Sequence, residues 1–481
     1  MNDYLALAPV ILPVVGALIA LAAYRYYRKA FEAFVIVYSV FLFLINLGYL
    51  LMLQGGMKPL SYGPLTLDAS GMVISTVVCF LGLLVMFYSF AYKRRPQYDS
   101  TYFAAYLMMM GFMSGLACSS NVVIMLIFLE AATVISAVLV LFGRTKRSIQ
   151  AATIYLTISI FEVLLVMYGA FILYNHTHSF DVTTNLALIP DSDKFLLALL
   201  FLFGFGTKAG LLPLGLIWLP PAHSEAPPPI SATMSGILIS ASVVAMMRAV
   251  YPFYGSSGFD LVMLIVVSFG VLNMIVGMIM ALFQEDLKRV LAYSSISQMG
   301  YIIVGLGLAT SLGVYGALFH ITNHMLFKGC LFLISGALIL GVNTRQLHKM
   351  GGLGKRMPIT AICFAIAGLA MAGLPLLNGA ASKAAIEEAT AHAATIWWGY
   401  EWFAYLQIIG SIVTFLYLFR AFYLIFLGKE KPGFDKSSDP PLYMLIPILI
   451  MVALCIILGL FPGLTEGLLQ LAADSLLHTG A

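Results

Sequence analysis

Six ionisable residues lie inside long apolar stretches of this sequence: Glu130, Lys208, His320, His324, Lys328 and Lys383. A charged side chain at the centre of a bilayer costs at least about 2.5–3.5 kcal/mol, so such residues face the interior of a helical bundle and mark transport paths. His320, His324 and Lys328 are spaced at i, i+4 and i+8, which places them on one face of a helix. These residue types predict a relay of buried titratable groups that passes protons.

Two structural alternatives stand beside the relay. A single buried pair such as Glu130 with Lys208 can also serve only to fix helix packing. The long side chain of Lys328 can also reach a membrane interface, where it would have no part in transport. Glu162 is a further carboxylate that stands apart from the other groups, and it suits either a relay role or a local hydrogen bond.

The composition identifies the environment of these groups. Of the 481 residues, 61% are hydrophobic and 10% are charged, whereas soluble domains carry about 25% charged residues. The long unbroken apolar runs exclude a membrane β-barrel, whose strands alternate apolar and polar residues. We therefore predict an all-α polytopic membrane protein. Its fourteen spans, of about 20 residues or more each, lie at 5–24, 31–53, 71–91, 102–120, 122–143, 150–174, 194–219, 230–252, 259–283, 290–309, 311–341, 358–395, 402–428 and 441–463.

The basic residues predict the orientation. Of the 25 Lys and Arg, 19 fall in one set of alternate loops, and the opposite loops hold only Lys58, Lys194 and Arg248. By the positive-inside rule the basic loops face the cytoplasm. Both termini then lie outside, and a prokaryotic cytoplasmic (inner) membrane is expected.

Cofactor and nucleotide sites have no support in the sequence. The five cysteines are isolated, with no CxxC and no histidine at metal-ligand spacing. No GxGxxG or GxxxxGK[ST] motif follows a strand. We expect no metal, cofactor or nucleic acid on this chain.

Two predicted spans contain helix breakers beside a lysine. Pro213 follows Lys208 in span 7, and Gly373 and Pro375 precede Lys383 in span 12. Interrupted helices at corresponding positions of two halves are typical of repeats around a transport path. We predict inverted five-helix repeats in spans 4–8 and 9–13, which gives domains 1–100, 101–255, 256–430 and 431–481.

The segment after span 7 is rich in proline. It reads WLPPAHSEAPPPISA and is predicted to be non-helical because of its prolines. His223 and Glu225 lie here, at the cytoplasmic end of the first repeat. They are either a proton-uptake pair or capping groups for span 8. Capping is favoured for Glu225, and the role of His223 is left open.

Several motifs carry a resemblance to a known family. LEAATVIS, WLPPAHSEAPPPISATMSG, EDLKRVLAYSSISQMGYI, HITNHMLFKGCLFL, RQLHKMGGLGKRMP and GLPLLNGAASK occur in this order. They resemble the antiporter-like subunits, which include the large proton-pumping subunits of respiratory complex I, those of energy-converting membrane-bound hydrogenases, and the Mrp cation/proton antiporters. The resemblance covers spans 3 to 13.

The resemblance implies roles for individual residues. A glutamate in span 5 pairs with a lysine in span 7, matching Glu130 and Lys208. A lysine in span 8 then passes the proton along a hydrated axis to histidines in span 11 and a lysine or glutamate in span 12. Those positions match His320, His324 and Lys383.

This chain departs from the family pattern in span 8. The segment SGILISAS has Ser240 where the family has lysine. Serine can hold a water but cannot take up a proton near neutral pH. Water fills this gap, or Glu162 substitutes, or the subunit pumps poorly.

The resemblance therefore implies a proton-translocating, non-redox subunit of an oxidoreductase complex, like NADH:quinone oxidoreductase or a membrane-bound hydrogenase. Iron–sulfur, flavin or nickel–iron centres and quinone are expected only on partner subunits. Those partners include further antiporter-like subunits. Two alternatives remain open: an Mrp-type Na⁺/H⁺ antiporter subunit, and a scaffold with a degenerate proton path.

Overall fold

The structure is a computed structural model that describes residues 3–26, 28–90, 99–183, 186–253, 255–395, 399–434 and 437–477. The helices are α1 (Ala8–Tyr26), α2 (Arg28–Gln54), α3 (Ala69–Ser89), α4 (Ser100–Cys118), α5 (Val122–Leu141), α6 (Lys146–Thr177), α7 (Asp191–Lys208), α8 (Leu214–Glu225), α9 (Pro228–Thr233), α10 (Ile239–Val250), α11 (Phe259–Leu282), α12 (Leu287–Gly307), α13 (Ser311–Val342), α14 (Pro358–Ala372), α15 (Asn378–Ala393), α16 (Gly399–Phe422), α17 (Leu442–Leu460) and α18 (Gly463–Leu477). An antiparallel hairpin of β1 (Leu60–Tyr62) and β2 (Leu65–Leu67) precedes α3. π-Helical turns at Met234–Leu238 and Tyr423–Leu427 connect α9 to α10 and extend α16.

The fold class predicted from the sequence is confirmed. All fourteen predicted spans are helical, and twelve helical segments of the described residues are long and apolar enough to cross a membrane. The segments that contain α9–α10 and α12 are wholly buried and form the centre of the bundle, whereas α1, α2 and α16 expose apolar side chains. The short helix α18 follows the last predicted span and was not predicted.

The other two spans are the interrupted ones. In span 7, α7 ends at Lys208 and α8 begins at Leu214, with Gly210 at φ +86° between them. In span 12, α14 ends at Ala372 and is followed by Gly373 at φ +89°. Glycine adopts this left-handed conformation at little steric cost and commonly ends helices. The sequence therefore predicted both interruptions correctly.

The proline-rich segment is helical, and its predicted loop conformation is wrong. Pro220 and Pro221 lie within α8, and Pro227 precedes the first turn of α9. Proline's fixed φ is compatible with a helix, but each interior proline removes one backbone hydrogen bond and its ring crowds the carbonyl of the preceding turn, at a cost of about 3 kcal/mol. Burial of α8 against α6 and α12 offsets this loss.

Two parts of the chain repeat with an offset of 165 residues. α6 and α13 each have 32 residues and begin at 146 and 311. Their N-caps, Thr145 and Thr310, accept a hydrogen bond from the third residue of each helix, and both helices end in a left-handed residue. These shared ends indicate a common backbone plan for α4–α10, called here the first unit, and α11–α16, the second unit.

Loop contacts repeat with the same offset. The Val122 N–H donates to the Phe180 carbonyl (3.0 Å), and the Leu287 N–H donates to the Arg345 carbonyl (2.9 Å). Isolated bridges join Asn121 to Asp181 and Asp286 to Gln346. The segment after α6 is thus hydrogen-bonded to the start of α5, and the segment after α13 to the start of α12. The domain boundaries stay a prediction.

Arg248 was assigned to an outer loop, and this assignment is wrong. Its guanidinium is 2% exposed and donates to both carboxylate oxygens of Asp68 (2.6 and 2.8 Å) and to Ser70 Oγ (2.6 Å). Asp68 also caps the N-terminus of α3 through the Gly71 N–H. The pair joins α10 of the first unit to the N-terminal helices. Of the basic residues assigned to the cytoplasmic loops, Lys93, Arg94, Arg95 and Lys436 lie outside the described residues.

Candidate functional site

Lys208 lies at the C-terminus of α7 and is 1% exposed. Its Nζ donates to Ser159 Oγ (2.5 Å) and lies 3.3 Å from Glu162 Oε2 and 4.0 Å from Glu130 Oε1. The Nζ also lies 4.6 Å from the centre of the Tyr155 ring. One cation is therefore shared by two carboxylates, a hydroxyl and an aromatic face.

Glu162 does not stand apart, as the sequence suggested. It is wholly buried and is the nearer carboxylate partner of Lys208, whereas the Glu130 side chain is 27% exposed. Glu162 and Ser159 lie on α6, one turn apart, so one helix presents both to α7. The sequence missed this contact because nothing in it reports the rotation of α6 relative to α7.

Aromatic residues of the cluster were also missed. Trp218 on α8 is fully buried and stacks on Tyr155 with ring centres 4.7 Å apart. Its Nε1 donates to the Thr207 carbonyl (2.9 Å) at the end of α7. The indole thus bridges the interruption and lies beside Lys208, whose Nζ is 6.0 Å from the centre of the ring. Its place in the WLPP segment was the available signal.

Asparagines hold both interruptions. Asn273 on α11 donates to the Gly210 carbonyl (2.8 Å) and accepts from the Leu212 N–H (3.0 Å). In the second unit, Asn323 donates to the Asn378 carbonyl (2.8 Å) at the start of α15. Asn273 thus pairs backbone groups that an interrupted helix leaves free, and Asn323 binds a carbonyl in the first turn of the helix that follows the second interruption.

His320, His324 and Lys328 lie on one face of α13, as predicted, and all three are buried. His320 lies 2.9 Å from Ser382 Oγ and 3.1 Å from Gln298 Oε1. Lys328 is wholly buried and donates to Ser294 Oγ and to the Leu291 carbonyl (3.2 Å). The alternative that Lys328 reaches an interface is therefore wrong.

Lys383 lies in the second turn of α15 and is 2% exposed. Its Nζ donates to Ser411 Oγ (3.1 Å) and to the Ala372 carbonyl (3.4 Å), and it lies 4.3 Å from the centre of the Tyr301 ring. This cation therefore lies directly at the second interruption.

His223 and Glu225 have different surroundings. His223 is wholly buried and stacks on Phe332 with ring centres 5.3 Å apart. Glu225 does not cap the following helix, which begins at Pro228 and has no side-chain cap, and instead binds Arg345 Nη2 (2.6 Å). The capping prediction for Glu225 is wrong because Arg345 provides a closer charged partner.

Several buried polar atoms within the described residues have no protein hydrogen-bond partner. They include Ser240 Oγ, Ser297 Oγ, Gln298 Nε2 and both ring nitrogens of His223 and His324. Buried polar groups of this kind bind water in proteins. Water beside these atoms would complete their hydrogen bonding.

Comparison with known proteins gives matches along most of the chain. The family described as "NADH:quinone oxidoreductase/Mrp antiporter, TM" matches residues 119–414. The "Na(+)/H(+) antiporter subunit A1" of Staphylococcus aureus (strain JH9) is 33% identical over 98% of this chain and 63% of the relative. The chain thus spans less than two thirds of the length of that relative.

Two solved structures share the fold. One is a chain of the membrane-bound sulfane sulfur reductase, an archaeal respiratory membrane complex, with TM-score 0.89 and 24% identity over 98% of this chain and 97% of that chain. The other is a chain of the Mrp complex from Dietzia sp. DQ12-45-1b, with TM-score 0.88 and 20% identity over 100% of this chain and 98% of that chain.

Proposed function

This chain belongs to the NADH:quinone oxidoreductase/Mrp antiporter transmembrane family, and from that premise we propose that it translocates protons as an antiporter-like subunit of a redox-driven membrane complex. The observation that carries the proposal is the buried cluster in which Lys208 lies between Glu162 and Glu130 at a helix interruption. Charged side chains are costly to bury inside a membrane, and buried clusters of them mark paths for ions.

The proposed path begins at this cluster and continues through the second unit. The proton passes from Lys208 and Glu162, past Ser240, to His324 and His320, and then to Lys383. The Tyr301 ring contacts both groups, with its centre 4.3 Å from Lys383 Nζ and 5.9 Å from the centre of the His320 ring, which supports the last transfer. Lys328 and His223 border this path, and water carries the proton where no side chain does.

Glu130 supports the assembly with other subunits. It lies near the middle of α5, and its side chain is 27% exposed. Its Oε1 is buried on the side of Lys208, and partial exposure of a carboxylate to lipid at this depth is costly. We propose that another membrane subunit covers it. Redox centres and quinone would lie on partner subunits, and the chain would lie in a prokaryotic inner membrane with both termini outside.

A second candidate function has its own observation. The 33% identical relatives are named Na(+)/H(+) antiporter subunits, which favours a cation/proton exchange subunit of the Mrp type. The cluster at Lys208 would serve the proton branch in either case. A scaffold role is the third candidate, and it rests on Ser240, whose buried hydroxyl cannot carry a proton charge.

Ion movement in proteoliposomes that contain the assembled complex separates these functions. For a redox-driven proton pump, electron donor and acceptor drive acidification at the same rate with and without Na⁺. For an exchanger, an imposed pH gradient dissipates only when Na⁺ is present. A scaffold predicts no change in either signal when Lys208 is replaced by alanine.

A further inference from the structure

The helix α8 spans the distance between the two units. Trp218, near its middle, contacts the end of α7 beside Lys208. Glu225, seven residues on and about 10 Å further along the axis, ends the helix against side chains of the second unit. Pro220 and Pro221 lie between the two ends and remove backbone hydrogen bonds, but their rings fix φ, and the Ser224 hydroxyl donates to the Pro220 carbonyl (2.5 Å). We therefore expect a displacement of one end of α8 to reach the other end.

Arg345 makes two contacts with the end of α8 and a third with Asp286 of the second unit. Its Nη1 donates to the Ser224 carbonyl (2.5 Å), its Nη2 to Glu225 Oε1 (2.6 Å) and its Nε to Asp286 Oδ2 (2.6 Å). Lys288 donates to the same Ser224 carbonyl (3.1 Å). Cations at a helix C-terminus are favoured by the helix dipole. The second unit thus holds α8 by two cations.

The backbone of Arg345 is itself fixed. Its carbonyl accepts from the Leu287 N–H (2.9 Å), and the Leu347 N–H donates to the Glu285 carbonyl (2.7 Å). The equivalent residue of the first unit is Phe180, whose carbonyl accepts from the Val122 N–H in the same way. Because phenylalanine fits the same backbone arrangement, the fold does not require a guanidinium at this position.

We propose that Arg345 is a positioning residue that couples the two units: it holds α8 so that Trp218 stays on the end of α7 and keeps Lys208 between its two glutamates. Arg345 acts through α8 and does not take part in proton transfer. The effect of Arg345 on transport rests on the proposed function, whereas its effect on the position of α8 does not depend on that function.

Hydrogen–deuterium exchange of the purified complex tests the structural part without any transport. We expect Arg345→Gln to raise exchange rates about tenfold, the loss of roughly one charge-assisted hydrogen bond, both in α8 and in residues 205–212. Arg345→Lys should restore part of the protection. Arg356→Gln, which breaks an exposed pair with Glu430, is the matched control and should change neither segment. Faster exchange confined to residues 224–226 would overturn the proposal.

A double-mutant cycle tests the functional part in proteoliposomes. Arg345→Gln and Trp218→Phe should each slow proton transport, and the double variant should be no slower than the slower single variant, because both changes act on one rod. Effects that multiply would overturn the coupling. A wild-type complex that moves no protons would refute the proposed function, and the exchange experiment would still decide the structural claim.

Discussion

Trp218 and Lys383 make the same contact in the two units. Trp218 Nε1 donates to the Thr207 carbonyl (2.9 Å) and Lys383 Nζ to the Ala372 carbonyl (3.4 Å). The two donor residues are 165 residues apart in the chain, and so are the two acceptor residues. The carbonyls at a helix C-terminus carry negative partial charge. The uncharged indole of Trp218 pairs the Thr207 carbonyl, whereas the charged ammonium of Lys383 pairs the Ala372 carbonyl. The first unit therefore has its cation before the interruption, at Lys208, and the second after it.

Lys383→Gln should separate pairing from proton transfer. The amide retains an N–H donor for the Ala372 carbonyl but cannot be protonated. We expect the complex to assemble with unchanged size in gel filtration and to lose proton transport by at least about tenfold. Lys355→Gln at an exposed position is the control. Full transport by Lys383→Gln would remove Lys383 from the relay.

Glu162→Gln should impair the protein more than Glu130→Gln. Glu162 is wholly buried and 3.3 Å from Lys208, whereas Glu130 is partly exposed and 4.0 Å away. Removing one partner of a buried ion pair costs about 3–5 kcal/mol. The thermal midpoint of the complex and the initial transport rate measure the two effects. A larger loss of both for Glu130→Gln, with Asp191→Asn as the exposed control, would contradict this ranking.

Ser240 should respond differently to lysine and to alanine. Its buried hydroxyl has no protein partner, so Ser240→Ala should leave stability within about 0.5 kcal/mol while slowing transport if the hydroxyl holds a water of the path. Ser240→Lys supplies a protonatable group and should speed transport. Ser242→Ala is the matched control, since that hydroxyl bonds its own helix. No response of transport to either Ser240 variant would favour the scaffold role.

Asp68→Asn should destabilise the attachment of the N-terminal helices. Asparagine caps a helix as well as aspartate does, so the change removes mainly the charge that faces Arg248. A broken buried pair costs about 3–5 kcal/mol, whereas an exposed pair contributes about 0–1 kcal/mol. Thermal unfolding of Asp68→Asn and of Glu430→Gln, the exposed control, measures the difference. Equal midpoints would show that the buried pair contributes little.

The sequence predicted most of the helices because long apolar runs define membrane spans directly. Prolines and glycines likewise marked both interruptions, since their effect on the backbone is local. The proline-rich segment was the exception. Pro220 and Pro221 lie in a helix whose burial on α6 and α12 outweighs two lost hydrogen bonds, and that packing is a tertiary property.

The candidate site was only partly predictable. Charged residues in apolar runs identified Lys208 and Lys383, because the cost of burying a charge is visible in the sequence. Their partners were not, since the proximity of Glu162 and the stacking of Trp218 depend on helix rotation. The internal repeat was expected from the two interrupted spans, but its offset of 165 residues appears only in the caps and loop contacts of α6 and α13.

The most direct test of the central claim is proton translocation by the assembled complex that carries Lys208→Ala. Proteoliposomes with an internal pH dye report the initial rate, and Lys194→Ala, a partly buried lysine in the first turn of the same helix that pairs with Asp191, is the control. If Lys208 carries the proton, Lys208→Ala complexes assemble fully but translocate at no more than about a tenth of the wild-type rate, while Lys194→Ala is unchanged. A wild-type rate of translocation in Lys208→Ala would contradict the account.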